Sequence, residues 1–327
     1  MPETRDPRPR RRRPFRTAVG LLVLMAVIGY FAVQRASNGG GGAPYCTASV
    51  VTGADELGQG GTRQSYEMTP EQAANAATIA AVGISKGLPD RAVSIALATA
   101  MQESALRNLD HGDRDSLGLF QQRPSQGWGT PEQIMDPVYS AGIFYDRLVE
   151  VKGYTRLPLT VAAQKVQLSG FPQAYAKHET DATVMTTAFG GGGTLTCGGP
   201  APTEPGDPEK VREALARIFG KDGMHTTPAE PPRTEDGNRW IKEPEVTLVE
   251  KRDSGPEARR RSHVMACWAV ANSRGMNISR VSYAMNGWIA GQAKGEWQFK
   301  GGTGAKDGDG DPHNAESGEV RIFMATR

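Results

Sequence analysis

The fold is decided by residues 96–123, ALATAMQESALRNLDHGDRDSLGLFQQR. From Val93 to Ala100, apolar side chains recur at positions i, i+3, i+4 and i+7, the stripe of an amphipathic helix. Glu103 lies three residues after Ala100 and therefore continues the apolar stripe instead of the solvated face. The pattern predicts a helix that ends on a carboxylate, followed by a polar loop and a Gly-Leu-Phe-Gln turn.

Glu103 has two interpretations. Burial disfavours the charged form of a carboxylate, so a Glu on the buried side of a helix has a raised pKa. A carboxylic acid that is still protonated near neutral pH suits general acid catalysis at a glycosidic oxygen. Alternatively, Glu103 is a solvated surface residue or the partner of Arg107, four residues further on.

The surroundings of Glu103 resemble a known family. Glu103-Ser104, an Asp-rich loop and the run SLGLFQ at 116–121 resemble the Glu-Ser … Gly-Leu-Met-Gln signature of the soluble lytic transglycosylase and goose-type lysozyme superfamily. The resemblance covers residues 69–181, about a third of the chain. In this arrangement the chain resembles exported actinobacterial wall proteins. It implies a mainly α lysozyme-like domain.

The resemblance also implies roles for individual residues. In this family the Glu is the catalytic acid/base, which implies that role for Glu103 and a supporting role for Ser104. The residues that it places in the sugar cleft are Gly118, Phe120 and Gln121.

Two further segments are candidates for the cleft. Trp128 stands in a Gly-rich turn, where it either stacks on a sugar or anchors the turn by packing. Residues 167–175, QLSGFPQAY, stand where the family carries an Ala-Tyr-Asn-Ala-Gly-Pro-like segment. The Tyr-Asn pair is absent there, and Gln167 and Tyr175 are the substrate-binding candidates. This departure keeps an inactive or altered-specificity protein as an alternative.

A second carboxylate separates two mechanisms. Asp113 and Asp115, in the loop after Glu103, are candidates for the base that an inverting hydrolase holds roughly 6.5–9.5 Å from its acid. Otherwise this loop is a solvated turn. In lytic transglycosylases one Glu suffices, and the product is a 1,6-anhydro sugar. The sequence leaves both chemistries open and favours the single-Glu route.

The N-terminus predicts a membrane anchor. Arginines crowd residues 1–16, and residues 17–33, TAVGLLVLMAVIGYFAV, carry no charge. This run is near the short end of the roughly 17–25 residues that cross a bilayer. The arginine excess before it predicts a cytoplasmic N-terminus and extracellular main domains in a single-pass cell-membrane protein. A cleaved signal peptide is the alternative, but no clear Ala-x-Ala site follows.

The cysteines predict one disulfide. Cys46 and Cys197 bracket the lysozyme-like region, and an oxidising compartment would allow them to tie its ends together. Cys267 stands beside Trp268 in a helical run, which indicates a buried apolar residue instead of a reactive thiol.

The C-terminal part predicts a small α+β domain. Helical stripes begin at Pro208 and Pro256, and residues 278–283 and 319–324 alternate in the manner of strands. The Asp-rich run 307–311 fails as a calcium loop, because Pro312 and Gly318 occupy the positions where Gly and Glu belong. No metal site or cofactor is predicted. A further alternative makes this domain the functional part, which recruits a protein partner that the sequence does not identify.

The fold class predicted from sequence is therefore a mainly α lysozyme-like domain, a small α+β C-terminal domain and an N-terminal transmembrane helix. The predicted segments are a basic cytoplasmic tail (1–16), a transmembrane anchor in contact with the lipid bilayer (17–34), a flexible linker (35–68), the lysozyme-like helical domain (69–185), a Gly/Pro linker (186–206) and the accessory domain (207–327).

The predicted function is cleavage of peptidoglycan glycan strands by a membrane-anchored lytic transglycosylase or muramidase, with Glu103 as general acid/base. The alternative is a catalytically inactive wall-binding or scaffold protein on the same fold. A net charge of +2 over 327 residues gives no global case for nucleic-acid binding.

Overall fold

The computed structural model of the protein describes residues 45–53, 60–169, 173–221, 224–227, 233–235, 238–240, 244–248, 255–299 and 319–326. They belong to one compact unit, Pro44–Arg327. The helices are α1 (Pro70–Ser85), α2 (Asp90–Ser104), α3 (Pro131–Ile134), α4 (Pro137–Glu150), α5 (Leu159–Gln167), α6 (Glu179–Gly190), α7 (Pro208–Phe219), α8 (Pro256–Ala271) and α9 (Ser273–Met276). The strands are β1 (Tyr45–Thr52), β2 (Thr62–Met68), β3 (Thr194–Gly198), β4 (Met224–Thr227), β5 (Arg233–Glu235), β6 (Asn238–Trp240), β7 (Glu245–Leu248), β8 (Ile278–Tyr283), β9 (Asn286–Ile289), β10 (Gln298–Phe299) and β11 (Val320–Met324).

Capping residues and a left-handed turn set the ends of the helices that lead to Glu103. Thr69 and Gln72 form a reciprocal capping box before α1, with Pro70 in the first turn. Helix α2 ends where Ala105 and Leu106 both adopt positive φ, 53° and 61°. The Leu106 N–H then bonds back to the Ala100 carbonyl at 3.1 Å, which closes the helix end.

Helix α1 lies at the centre of the core. Its buried side chains pack against α2, α4, α6 and α8. The Tyr145 hydroxyl of α4 donates to the Ile79 carbonyl at 3.0 Å, and the Trp268 indole of α8 donates to the Thr78 hydroxyl at 3.2 Å. Helix α8, which the sequence places in the accessory domain, thus contacts the helices that carry the candidate site.

A three-stranded antiparallel sheet, in the order β2-β1-β3, flanks these helices. Cys46 of β1 faces Cys197 of β3 in the register, and the two form a disulfide. The predicted disulfide is confirmed. It closes a loop of 151 residues around the helical region.

The C-terminal part forms a six-stranded antiparallel sheet, in the order β10-β9-β8-β11-β7-β4, and β5 pairs with β6 separately. Helix α8 packs against β8 and β11. The outer edge of β3 receives two indoles from this part. Trp288 donates to the Cys197 carbonyl at 3.3 Å, and Trp297 donates to the Leu195 carbonyl at 2.8 Å. These bonds occupy carbonyls that an edge strand otherwise leaves open.

The predicted fold class is wrong. The chain is mixed α and β, because β1, β2 and β3 form a sheet on the region predicted to be mainly helical. Strands β1 and β2 arise within the predicted linker 35–68. Their pairing with β3 joins residues far apart in sequence, so local composition does not reveal it.

The predicted transmembrane helix and the predicted single-pass membrane location are corrected as well. Within the described ranges, no helix has the length and apolarity needed to cross a bilayer. Residues 17–34 themselves, and the Asp-rich run 307–311, lie outside the described residues.

Candidate functional site

Glu103 lies in the last turn of α2 and is half-buried. Its Oε1 accepts a hydrogen bond of 2.7 Å from the Tyr175 hydroxyl, and the Gln167 side chain also hydrogen-bonds it. Gln167 is the last residue of α5, and Tyr175 precedes a short 3₁₀ turn, Ala176–His178. Three separate segments therefore meet at one carboxyl group.

Two opposing effects set the pKa of Glu103. Burial is the larger effect and raises the pKa, because the charged form loses solvation. The hydrogen bonds from Tyr175 and Gln167 lower it, since they stabilise the carboxylate. The net effect is a raised pKa, as the helical periodicity predicts.

Tyr175 is fully buried and serves as a neutral donor. Its own pKa is raised, first by burial and then by the charge of the adjacent Glu103 and the hydrogen bond between them. A side-chain hydrogen bond with Ser169 acts in the opposite direction. The phenol therefore keeps its proton throughout the ordinary pH range, and Glu103 is the group of the pair that titrates.

Ser104 fastens the Gly-Leu-Phe-Gln turn to the end of α2. Its buried hydroxyl lies 2.7 Å from the Leu119 carbonyl and 3.1 Å from the Ala100 carbonyl. Gly118 has φ of +75°, and a Cβ there would lie 2.7 Å from the Ile134 carbonyl oxygen. Close packing on α3 therefore requires a glycine at this position. This packing is a reason for the glycine that is separate from the cleft role implied by the resemblance.

The aromatic candidates are packing residues in this structure. Phe120 is fully buried and stacks on Phe144 with ring centroids 4.6 Å apart. Its carbonyl accepts from the Gln167 amide at 2.7 Å, so its backbone, not its ring, reaches the Glu103 site. Trp128 is 6% exposed, and the Arg147 guanidinium lies 3.5 Å from its ring centroid. Of the two interpretations of Trp128, this geometry favours the packing anchor.

Gln121 adopts φ of +47° and holds its own loop together. Its side-chain amide lies 3.3 Å from the carbonyls of both His111 and Gly118. Among the described residues, its side chain makes no hydrogen bond to Glu103. Gln121 therefore shapes the loop behind the site.

The two candidate second carboxylates differ. Asp113 is exposed. Asp115 accepts from the Ser125 backbone N–H at 2.8 Å and pairs with the Arg123 guanidinium at 2.7 Å. Hydrogen bonds from Ser125, and then from Arg123, hold the pKa of Asp115 well below its usual range. A carboxylate so stabilised is a weak base.

The sequence did not indicate His178, which contacts the residue before Glu103. The His178 Nε2 lies 3.2 Å from Oε1 of Gln102, so the residues Tyr175 and His178 contact consecutive residues of α2. Burial, and then the charge of Lys177, lowers the pKa of His178. Tyr175 and His178 are three residues apart, which is the repeat of a 3₁₀ turn. This spacing is the sequence feature that could have indicated that both side chains face α2.

The described part of the chain contains no group of three or more His, Cys, Asp or Glu residues arranged to hold a metal ion. The Cys267 sulfur lies 3.4 Å from Nε2 of His263, but burial raises the pKa of the Cys267 thiol to about 12. Because the thiolate is the nucleophile, this pair is packing and not a catalytic dyad.

In comparisons with known proteins, no family model matches this sequence, and no curated protein is significantly similar to it.

Proposed function

We propose that this protein cleaves the glycan strand of peptidoglycan, with Glu103 as general acid and then general base. The observation that carries the proposal is the half-buried carboxyl of Glu103, held by the Tyr175 hydroxyl at 2.7 Å and made less acidic by its partial burial. A general acid needs a pKa close to the working pH and a fixed orientation, and this arrangement supports both.

The hydrogen bond also favours one position for the proton. Oε1 of Glu103 accepts from Tyr175, so in the acid form the proton belongs on Oε2. That proton is then the one delivered to the glycosidic oxygen. As the bond between the sugar carbon and this oxygen breaks, the bonding electrons leave with the oxygen, and Glu103 becomes a carboxylate that Tyr175 and Gln167 stabilise.

The second step of the reaction depends on whether Asp115 can act as a second base. This carboxylate is engaged by Ser125 and Arg123 and has a lowered pKa, which supports a route without a second base. The Glu103 carboxylate takes the proton of the sugar's own 6-hydroxyl, whose oxygen bonds to the anomeric carbon. The products are a 1,6-anhydro sugar and a shortened strand, and Glu103 is again protonated. No water is consumed in this route.

The test is mass spectrometry of purified peptidoglycan after incubation with the full-length protein. Wild type should release 1,6-anhydro-muropeptides, and Glu103→Gln should reduce the rate about 10²–10⁴-fold. Glu150→Gln is the matched control, because Glu150 also ends a helix, α4, but is exposed. It should retain full activity.

Two outcomes would replace the proposal. Products with a reducing end would mean hydrolysis, and Asp113→Asn would then be the next variant. Retained binding to the glycan without any released fragment would mean that the protein is a glycan-binding scaffold, the alternative from the sequence.

A further inference from the structure

A cavity of about 360 Å³ lies beside the disulfide, and neither Glu103 nor Tyr175 lines it. One wall is the Cys46–Cys197 disulfide, and another is the segment 198–203, GGPAPT. The third wall comes from the residues around α9 and from β8 and β9. The volume is at the lower end of the range for small-molecule sites, roughly 300–1,000 Å³.

The walls of this cavity are tied to one another. The Trp288 indole donates to the Cys197 carbonyl at 3.3 Å, and the Gly199 N–H donates to the Gln292 carbonyl at 3.2 Å. The Asn277 side chain donates to the Pro205 carbonyl at 3.3 Å. Together with the disulfide, these bonds make the cavity preformed, and a preformed site lowers the entropic cost of binding.

The charge on the cavity lining is positive. Arg274 is the one residue with a formal charge among those that line the cavity, and it is exposed. Within the described ranges, Arg274 makes no ion pair. The adjacent Ser273 is 8% exposed and also lines the cavity, and its hydroxyl has no hydrogen-bond partner in the described part of the chain. The Ser273 hydroxyl can therefore donate to a ligand in the cavity.

Most of the remaining lining is small or apolar. It includes Pro200, Pro202, Ile278, Ala290 and the disulfide. The site therefore combines the Arg274 guanidinium, the hydroxyls of Ser273 and Thr203 and the Asn277 amide with an apolar surface. Its occupant should carry a single negative group on a compact apolar body.

Two other ligand classes fit less well. A phosphate carries up to two charges and usually gathers several donors, whereas one guanidinium matches one carboxylate with two parallel hydrogen bonds. A sugar needs an open aromatic face and many polar partners. Trp288 is 2% exposed and its N–H is already bonded to Cys197, so it does not present such a face.

We propose that this cavity binds a small organic carboxylate of the kind found at the free C-terminus of a short peptide. The carboxylate would pair with Arg274 and accept from Ser273, and small side chains would contact the prolines and the disulfide. This inference does not depend on the proposed cleavage of glycan by Glu103, and either can fail without the other.

The test is isothermal titration of the full-length protein with N-acetyl-alanyl-alanine, its C-terminal amide and inorganic phosphate. The free acid should bind, and the amide and phosphate should each bind at least tenfold more weakly. Arg274→Gln should weaken binding of the acid at least tenfold, and Arg274→Lys should restore part of it. Arg156→Gln is the matched control, because Arg156 is exposed and lies outside the cavity lining, and it should bind as wild type does.

Four results would overturn the proposal. They are no binding of the acid at millimolar concentration, equal binding of acid and amide, equal binding of phosphate, and equal losses in Arg274→Gln and Arg156→Gln. The first three comparisons use wild-type protein, so a folding defect in a variant does not affect them.

Discussion

The Tyr175 hydroxyl donates to Oε1 of Glu103 at 2.7 Å across 72 residues of sequence. This bond joins the last turn of α2 to the segment that follows α5. It opposes the effect of burial on the pKa of Glu103, as does the hydrogen bond from Gln167. Tyr175 therefore contributes to both the orientation and the acidity of the proposed catalytic group.

Tyr175→Phe should move the alkaline limb of the pH profile of kcat/KM to higher pH. The hydrogen bond from Tyr175 lowers the pKa of Glu103, so its removal leaves burial less opposed and raises that pKa further. The acid must be protonated to act, and the alkaline limb reports its pKa in the free enzyme. Tyr139→Phe is the control, because the Tyr139 hydroxyl bonds to the Trp128 carbonyl instead. An unmoved limb, or a shift to lower pH, would contradict the assignment.

Glu103→Gln should stabilise the folded protein, and increasingly so as the pH rises. The pKa of Glu103 is raised in the folded state above its ordinary value of 4.5, so the unfolded chain loses this proton first. Above about pH 4.5 this difference favours unfolding of the wild type until the folded carboxyl also ionises. Below that pH both states are protonated, and the two proteins should differ little. Urea unfolding at a series of pH values measures this, and a constant difference would refute the raised pKa.

The features that sequence reasoning predicted are those set by local interactions. The helix that ends next to Glu103 and the raised pKa of Glu103 both follow from 3.6-residue periodicity, and the structure agrees with both. The Cys46–Cys197 disulfide is also confirmed, although it joins distant residues; the sequence indicated it because these two cysteines lie just outside the two ends of the helical region.

The missed features depend on pairings between distant residues. The contact of Glu103 with Tyr175 and the pairing of β1 with β3 join segments that no local pattern connects. Periodicity likewise indicates that Phe120 is apolar but not whether it faces a cleft or a core. Its stacking on Phe144, from α4, decides that question.

Gly118→Ala should destabilise the protein by about 2 kcal/mol or more, because a left-handed φ of +75° and a Cβ only 2.7 Å from the Ile134 carbonyl act together. Gly142→Ala is the matched control. Gly142 lies inside α4 with open space around a new Cβ, so alanine there should stabilise by about 0.5–1 kcal/mol. Denaturant unfolding of both variants gives the comparison, and equal effects would contradict the packing of the turn on α3.

Cys46→Ser together with Cys197→Ser should lower the free energy of unfolding by about 2–4 kcal/mol, because the disulfide restricts the unfolded chain. A reducing agent should lower the stability of the wild type by a similar amount and should leave the double variant unchanged. Cys267 is buried and unpaired by a disulfide, so it provides no alternative bridge in the folded state. Equal stability with and without reductant in the wild type would contradict the bridge.

Trp297→Phe should weaken the junction between β3 and the C-terminal part. The variant loses the indole N–H that donates to the Leu195 carbonyl at 2.8 Å, and an unsatisfied buried carbonyl costs about 1–3 kcal/mol. It also frees part of the edge of β3, so association of the protein at high concentration should increase. Denaturant unfolding and light scattering measure the two effects.

Trp128→Phe is the control for Trp297→Phe. It shows whether an effect of Trp297→Phe comes from the lost indole hydrogen bond or from the lost apolar area. Trp128 is buried and makes no indole hydrogen bond to any described residue, so this variant loses area and its contact with Arg147 only. Association should then increase for Trp297→Phe alone, since Trp128 is far in sequence from β3 and bonds to none of its carbonyls. If both variants associate equally, general destabilisation and not the open strand edge is the cause.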